Sequence, residues 1–169
     1  FSGISHAGFM LMTLLNISNS AGNLLYYTAA YSLSGIAAFA VILYVCKNKD
    51  NEDIVNFNGL GKNNPLMAAV LTASLLSMAG IPIFAGFFAK MFLFTQTIEA
   101  GYLVVVIAAV INSIISVGYY FKLILAMYNK EPNEEATKTP FVLYAVAVVS
   151  ILLNIVLGLF PSAVLNLLG

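Results

Sequence analysis

Apolar residues run in long blocks along this chain, and short polar clusters separate them. The first block, residues 1–17, closes on Asn16-Ile17-Ser18-Asn19-Ser20-Ala21-Gly22-Asn23, a composition that marks a turn. The second, 24–46, contains no charge and is long enough to cross a bilayer with some tilt. It ends at Lys47-Asn48-Lys49-Asp50-Asn51-Glu52-Asp53, and the polar stretch from there to Lys62 carries Ile54, Val55, Phe57 and Leu60, the pattern of a short interfacial segment. Two further blocks, 102–128 and 141–160, flank a charged loop over 129–139, and Pro161 opens a short amphipathic tail. Tyr102 and Tyr128 sit where interfacial anchors belong.

The remaining block, 64–98, is too long for one straight crossing. As a continuous helix at about 1.5 Å per residue it would reach roughly 50 Å, against a hydrocarbon core of about 30 Å. Ala79-Gly80-Ile81-Pro82 lies in its middle, and proline removes a backbone donor and clashes with the preceding turn. The pattern predicts two half-helices that meet at residues 80–82, with Gly80 and Pro82 as the breaking pair. The expected fold is all-α: one transmembrane domain over 1–169, a polytopic membrane helix bundle of about five transmembrane helices, the third discontinuous.

Loop charge tests the crossing number. With one broken crossing over 64–98, the loops that hold Lys47, Lys49, Lys62, Lys130 and Lys138 share one side, and the opposite loops hold only Glu99. Two full crossings would divide those lysines. The positive-inside rule therefore favours the single broken span and places the lysine-bearing loops in the cytoplasm. Lys90 then falls in the outer half of the broken span, and Gly169 falls outside.

Composition agrees with the pattern. Of 169 residues, 61% are hydrophobic and 8% charged, and mean hydropathy is +0.95; soluble domains are about 45–50% apolar and about 25% charged. The lipid bilayer is the main expected partner. Seven lysines balance seven acids with no arginine, which gives no reason to expect nucleic acid. Cys46, the single cysteine, excludes an internal disulfide and a thiolate cluster. The chain opens on Phe1 inside an apolar block, without a signal-peptide pattern, and is expected to be the C-terminal piece of a longer protein.

Three titratable residues inside apolar blocks carry the candidate chemistry. Lys90 lies eight residues beyond Pro82. An ammonium in a low-dielectric site is costly, and a group so placed can exchange its proton, as a relay requires. The competing reading is a lysine that snorkels outward along roughly 12 Å of helix; the adjacent break, which brings backbone dipoles toward the bilayer centre, favours the relay. His6, the only histidine, falls near the bilayer midplane, either as a relay member or as a buried imidazole satisfied by a carbonyl or a neighbouring serine, of which Ser5 is adjacent. Lys122 sits about six residues before Tyr128, where snorkelling is the default and proton uptake the alternative. No phosphate loop, nucleophile elbow or metal-ligand cluster is present, and one histidine cannot supply a bis-histidine haem. Neither a catalytic residue, a metal nor a cofactor is expected in this chain.

Ser2-Gly3-Ile4-Ser5-His6-Ala7-Gly8-Phe9, Leu76-Ser77-Met78-Ala79-Gly80-Ile81-Pro82 with Ala85-Gly86-Phe87-Phe88-Ala89-Lys90, and Asn112-Ser113-Ile114-Ile115-Ser116 with Tyr119-Tyr120-Phe121-Lys122 are similar to three motifs of one family. In order and spacing they resemble S-S-I-S-H-x-G-Y, L-S-L-A-G-I-P with G-F-x-x-K, and N-S-x-I-S with Y-Y-x-[RK], of the antiporter-like membrane subunits of respiratory complex I. Within that family the likeness is to the N type: the L type has an acid after the lysine, where Met91 stands here, and the M type has glutamate in place of Lys90.

The resemblance implies the last third, helices ten to fourteen, of a 14-helix subunit in the bacterial inner (plasma) membrane, with its C-terminus outside. It implies that Lys90 closes a charged axis, with His6 in its central part. It further implies that the other membrane-arm subunits are partners, that protons are the species moved, and that NADH, FMN, Fe–S clusters and quinone belong to the wider complex. The expected function is proton translocation coupled to quinone reduction. The alternatives are a sodium/proton antiporter subunit of the Mrp type, a membrane hydrogenase subunit of the same fold, or a scaffold whose lysines only snorkel.

Overall fold

A computed structural model describes residues 1–16, 20–132 and 140–168. Among these residues every regular element is helical. Helix α1 (Ser2–Leu11) runs into a 3-10 turn at Met12–Leu15, followed by α2 (Ser20–Cys46). A second 3-10 turn (Ile54–Phe57) and the four-residue α3 (Leu60–Asn63) occupy the polar stretch expected at the interface. Then come α4 (Pro65–Ala79), α5 (Ala85–Glu99), α6 (Leu103–Asn129), α7 (Phe141–Leu159) and α8 (Pro161–Leu168). Among the described residues three helices are long and apolar enough to cross a membrane, over Ala21–Cys46, Leu103–Asn129 and Phe141–Leu159.

Helix α2 is the spine, and α4, α5 and α7 pack around it. Its second half presents Ala37, Ala38, Ala40 and Val41 to Ala68 and Leu71 of α4 and to Ala147 and Ile151 of α7, all buried in one cluster. Small side chains let the backbones approach closely, which is the main source of helix association where no water is being released. Toward its start α2 buries Tyr26, Tyr27 and Ala30 with Phe9 of α1 and Ala89 and Leu93 of α5. The outward faces stay apolar: Phe39, Leu43, Val104, Ile107, Ile114, Leu152 and Val156 are all exposed. So large an apolar surface is the mark of a chain covered by lipid or protein.

Of the boundaries that differ from the sequence reading, two have a reason in the contacts. Helix α2 begins at Ser20, four residues before the expected Leu24. The polar Asn23 is drawn into it because its Nδ2 donates to Gln96 Oε1 of α5 (2.9 Å), while Gln96 Nε2 donates to the Asn16 carbonyl (2.8 Å). The interval between α4 and α5 runs from Gly80 to Phe84, two residues past Pro82, and Ile83 within it takes the left-handed φ of 94°. Ile17, Ser18 and Asn19 of the first expected turn, Glu134, Glu135 and Lys138 of the charged loop, and Gly169 lie outside the described residues.

Helix α4 has local start and stop signals. Asn64 caps it, its side chain accepting the Met67 N–H at 3.2 Å, and Pro65 takes the first helical position, where no donor is needed. Gly80 ends it at φ 90°, ψ 39°, a conformation open to glycine and strained for other residues.

Candidate functional site

The last four carbonyls of a helix have no partner within it. At the end of α4 all four are accounted for. Ile81 N–H donates to the Leu76 carbonyl and Gly80 N–H to that of Ser77, both at 3.0 Å, which closes a Schellman turn. The two left over, Met78 and Ala79, accept from Lys90 Nζ at 2.9 and 3.0 Å. The ammonium therefore stands in for the missing turn of helix, at the negative end of the α4 dipole.

Lys90 reaches this position because α5 starts beside the last turn of α4: Gly86 N–H donates to Ser77 Oγ at 3.3 Å, and Lys90 follows one turn later on the same helix. Its side chain is 6% exposed, and its head turns toward the break rather than along the helix to its far end. From α6, Ser113 Oγ accepts a third hydrogen bond at 3.3 Å. The Phe9 ring lies with its centroid 5.2 Å from Nζ, so two carbonyls, a hydroxyl and an aromatic ring surround the charge. A groove of about 420 Å³, lined by Gly80, Ile81, Phe87, Phe94 and Ser113, opens onto Lys90 between the break, α5 and α6.

His6, 4% exposed, sits on α1 beside the same phenylalanine, whose ring it meets edge-on at 5.9 Å. The adjacent Ser5 does not satisfy it: Ser5 Oγ donates instead to Asn112 Oδ1 at 3.2 Å. Tyrosines take that role. His6 Nδ1 shares a hydrogen bond with Tyr27 OH at 2.7 Å, Nε2 has a longer contact of 3.4 Å with Tyr120 OH, and the ring stacks on Tyr31 with centroids 4.3 Å apart. Tyr120 is also hydrogen-bonded to Ser2, so a polar seam joins α1 to α6. Phe9 thus touches both titratable groups. Lys122, two residues beyond Tyr120, is exposed on α6 and stands apart from these contacts.

A second polar knot lies across the break from Lys90. Ser34 of α2, Ser77 of α4 and Asn154 of α7 are each 1% exposed or less and are joined by hydrogen bonds of 2.9–3.0 Å. A cavity of about 10 Å³, close to the room one water needs, separates this knot from His6, Tyr27 and Tyr31. Among the described residues no buried side-chain nitrogen or oxygen lacks a partner.

In the sequence His6, Lys90 and Gly80 stand out, Ser113 and Tyr120 appear only within the motifs quoted above, and Tyr27, Tyr31 and Asn154 do not stand out. Tyrosines belong at span ends as anchors. Tyr27 and Tyr31, one turn apart in an uncharged block, are the available signal for an imidazole-sized polar pocket. Nothing in the sequence pairs Asn154 with Ser77.

Residues 1–116 match the family described as NADH:quinone oxidoreductase/Mrp antiporter, transmembrane. Across all 169 residues the chain is 78% identical to NADH-quinone oxidoreductase subunit N of Flavobacterium johnsoniae, and it spans 36% of that protein's length. A chain of respiratory complex I from Thermus thermophilus, solved with bound aureothin, superposes with a TM-score of 0.88 at 31% identity, over 98% of this chain and 38% of that one. The Mrp complex from Dietzia sp. shares the fold, with a TM-score of 0.77 at 23% identity over 88% of this chain and 36% of that chain. The chain belongs to the NADH:quinone oxidoreductase/Mrp antiporter transmembrane family.

Proposed function

We propose that the chain is part of a proton-translocating, non-redox membrane subunit of an NADH:quinone oxidoreductase, which couples quinone reduction elsewhere in the complex to proton transfer across the membrane. One observation carries this reading: the Lys90 ammonium is buried at the helix break and held by the free carbonyls of Met78 and Ala79. Intramembrane charges turned inward are costly and mark ion pathways. A lysine so held is placed to exchange a proton when a neighbouring charge arrives or leaves. His6, in its tyrosine pocket on the other side of the Phe9 contact, is the second member of the relay. Lys122, exposed on α6, is the uptake-side candidate, and Lys122→Ala should lower pumping less than a change at Lys90.

In this reading the protein crosses the membrane five times within these residues, with α4 and α5 forming one broken span. At about 1.5 Å per residue each is roughly 22 Å long, short of a full crossing alone. The lysine-bearing loops face the cytoplasm of a bacterial cell and the C-terminal end faces outward. Other membrane-arm subunits are its partners. NADH, FMN, Fe–S clusters and quinone are bound elsewhere in the complex. The fold also serves Mrp antiporters, but identity of 78% over the whole chain supports the oxidoreductase subunit.

The test is proton pumping in membranes that carry Lys90→Ala in the full-length subunit, with assembly checked by native gel. Loss of pumping in an assembled complex is expected. Lys90→Arg, which keeps a charge that does not leave, then separates a fixed charge from a titrating one. Normal pumping by assembled Lys90→Ala would reduce Lys90 to an anchor.

A further inference from the structure

The polar knot on the far side of the break is not used by the relay just described. Asn154 is fully buried in α7. Its Nδ2 donates to the Ala30 carbonyl and to Ser34 Oγ, both on α2 and both at 2.9 Å, which uses its two donors. Those bonds alone would fasten α7 to α2. Its Oδ1 does something else: it accepts from Ser77 Oγ at 3.0 Å, in the last turn of α4.

Ser77 is the residue through which both ends of the break are fixed. Its carbonyl accepts Gly80 N–H, which stops α4, and its Oγ accepts Gly86 N–H, which starts α5. The next two carbonyls in the chain, Met78 and Ala79, are those that hold Lys90. One turn along α7 from Asn154, Gly158 lies against the backbone of Ile83, Phe84 and Ala85. The connecting segment is thus held from α7 on one side and meets Lys90 on the other. We propose that Asn154 is a positioning residue for Lys90, which acts through Ser77 to set where the Met78 and Ala79 carbonyls stand. A geometry of two carbonyls on one ammonium tolerates little displacement, since shifts of about 1 Å at a reacting group can cost a hundredfold in rate.

This inference rests on Lys90 being a proton-transfer group. The experiment measures protons pumped per electron and the KM for quinone in assembled full-length complexes carrying Asn154→Ala, Ser77→Ala or Lys90→Ala. Positioning predicts that Asn154→Ala and Ser77→Ala each lower the proton-to-electron ratio about twofold or more and leave the KM unchanged. A merely structural knot would lower the amount of assembled complex without moving the ratio, and that result overturns the proposal. If Asn154→Ala does not assemble, Ser77→Ala, which keeps Asn154 bonded to α2, decides the matter in the same terms. If Lys90→Ala lowers the ratio and neither of the other variants does, only the positioning role fails. If Lys90→Ala leaves it unchanged, the proton-transfer reading fails and this inference with it.

Discussion

Lys90 and Gly80 share one space: a Cβ built on Gly80 would stand 3.2 Å from Lys90 Cδ and 3.5 Å from Nζ. Gly80 also holds φ at 90°, where other residues are strained by about 1–2 kcal/mol. The residue that ends α4 is therefore also the one that makes room for the lysine that completes it. Gly80→Ala is expected to destabilise the subunit by about 1–3 kcal/mol, strain and crowding together, and to displace the ammonium. Native-gel yield and pumping per assembled complex should both fall; normal values for both would show that the cradle tolerates a methyl group.

Gly158 makes the matching contact from α7. A Cβ there would lie 2.3 Å from the Ile83 carbonyl oxygen and 2.7 Å from Ala85 N, and backbone atoms cannot swing aside as a side-chain tip can. Overpacking of this kind costs about 1–3 kcal/mol. Thermal denaturation of the assembled complex should show a lower midpoint for Gly158→Ala, with the equivalent change at the uncrowded Gly118 as control.

Tyr27 holds His6 by the shorter of the ring's two hydrogen bonds, 2.7 Å against 3.4 Å to Tyr120. Tyr27→Phe removes that partner and leaves Nδ1 unpaired in a buried pocket, a cost of about 1–3 kcal/mol. Pumping should fall in Tyr27→Phe and not in Tyr44→Phe, which lies away from His6 near the other end of α2. Equal rates in the two variants would remove His6 from the relay.

Lys62 and Glu131 form an ion pair at 2.6 Å, with the side chains 55% and 83% exposed. Exposed pairs are worth at most about 1 kcal/mol and are screened by salt. Glu131→Gln should leave the thermal midpoint and pumping within experimental scatter of the unaltered complex, and a clear loss would assign this loop a role beyond the pair.

The all-helical fold and the stop of α4 at Gly80 were legible because both are set locally: runs of apolar residues read as helices, and a glycine in the left-handed region ends one. Lys90 and His6 were legible for the opposite reason, as titratable groups out of place in apolar blocks. What the sequence left open depends on contacts between distant segments. Whether Lys90 snorkels or turns inward is decided by the carbonyls of Met78 and Ala79 and by Ser113, which α6 brings from 23 residues away. His6 had an adjacent serine as its obvious partner, yet on α1 Ser5 points to Asn112 while the imidazole meets α2. Asn23 reads as a turn residue until Gln96 of α5 is beside it, and α2 therefore begins before it, at Ser20.

Lys90→Met replaces the ammonium at the end of α4 with an apolar group of similar length, and so asks whether a proton is carried there. Proton pumping per electron should be measured in membranes with the full-length variant assembled at normal levels. The structure predicts that the ratio falls while the complex remains intact. An unchanged ratio in that complex would mean that Lys90 carries no proton.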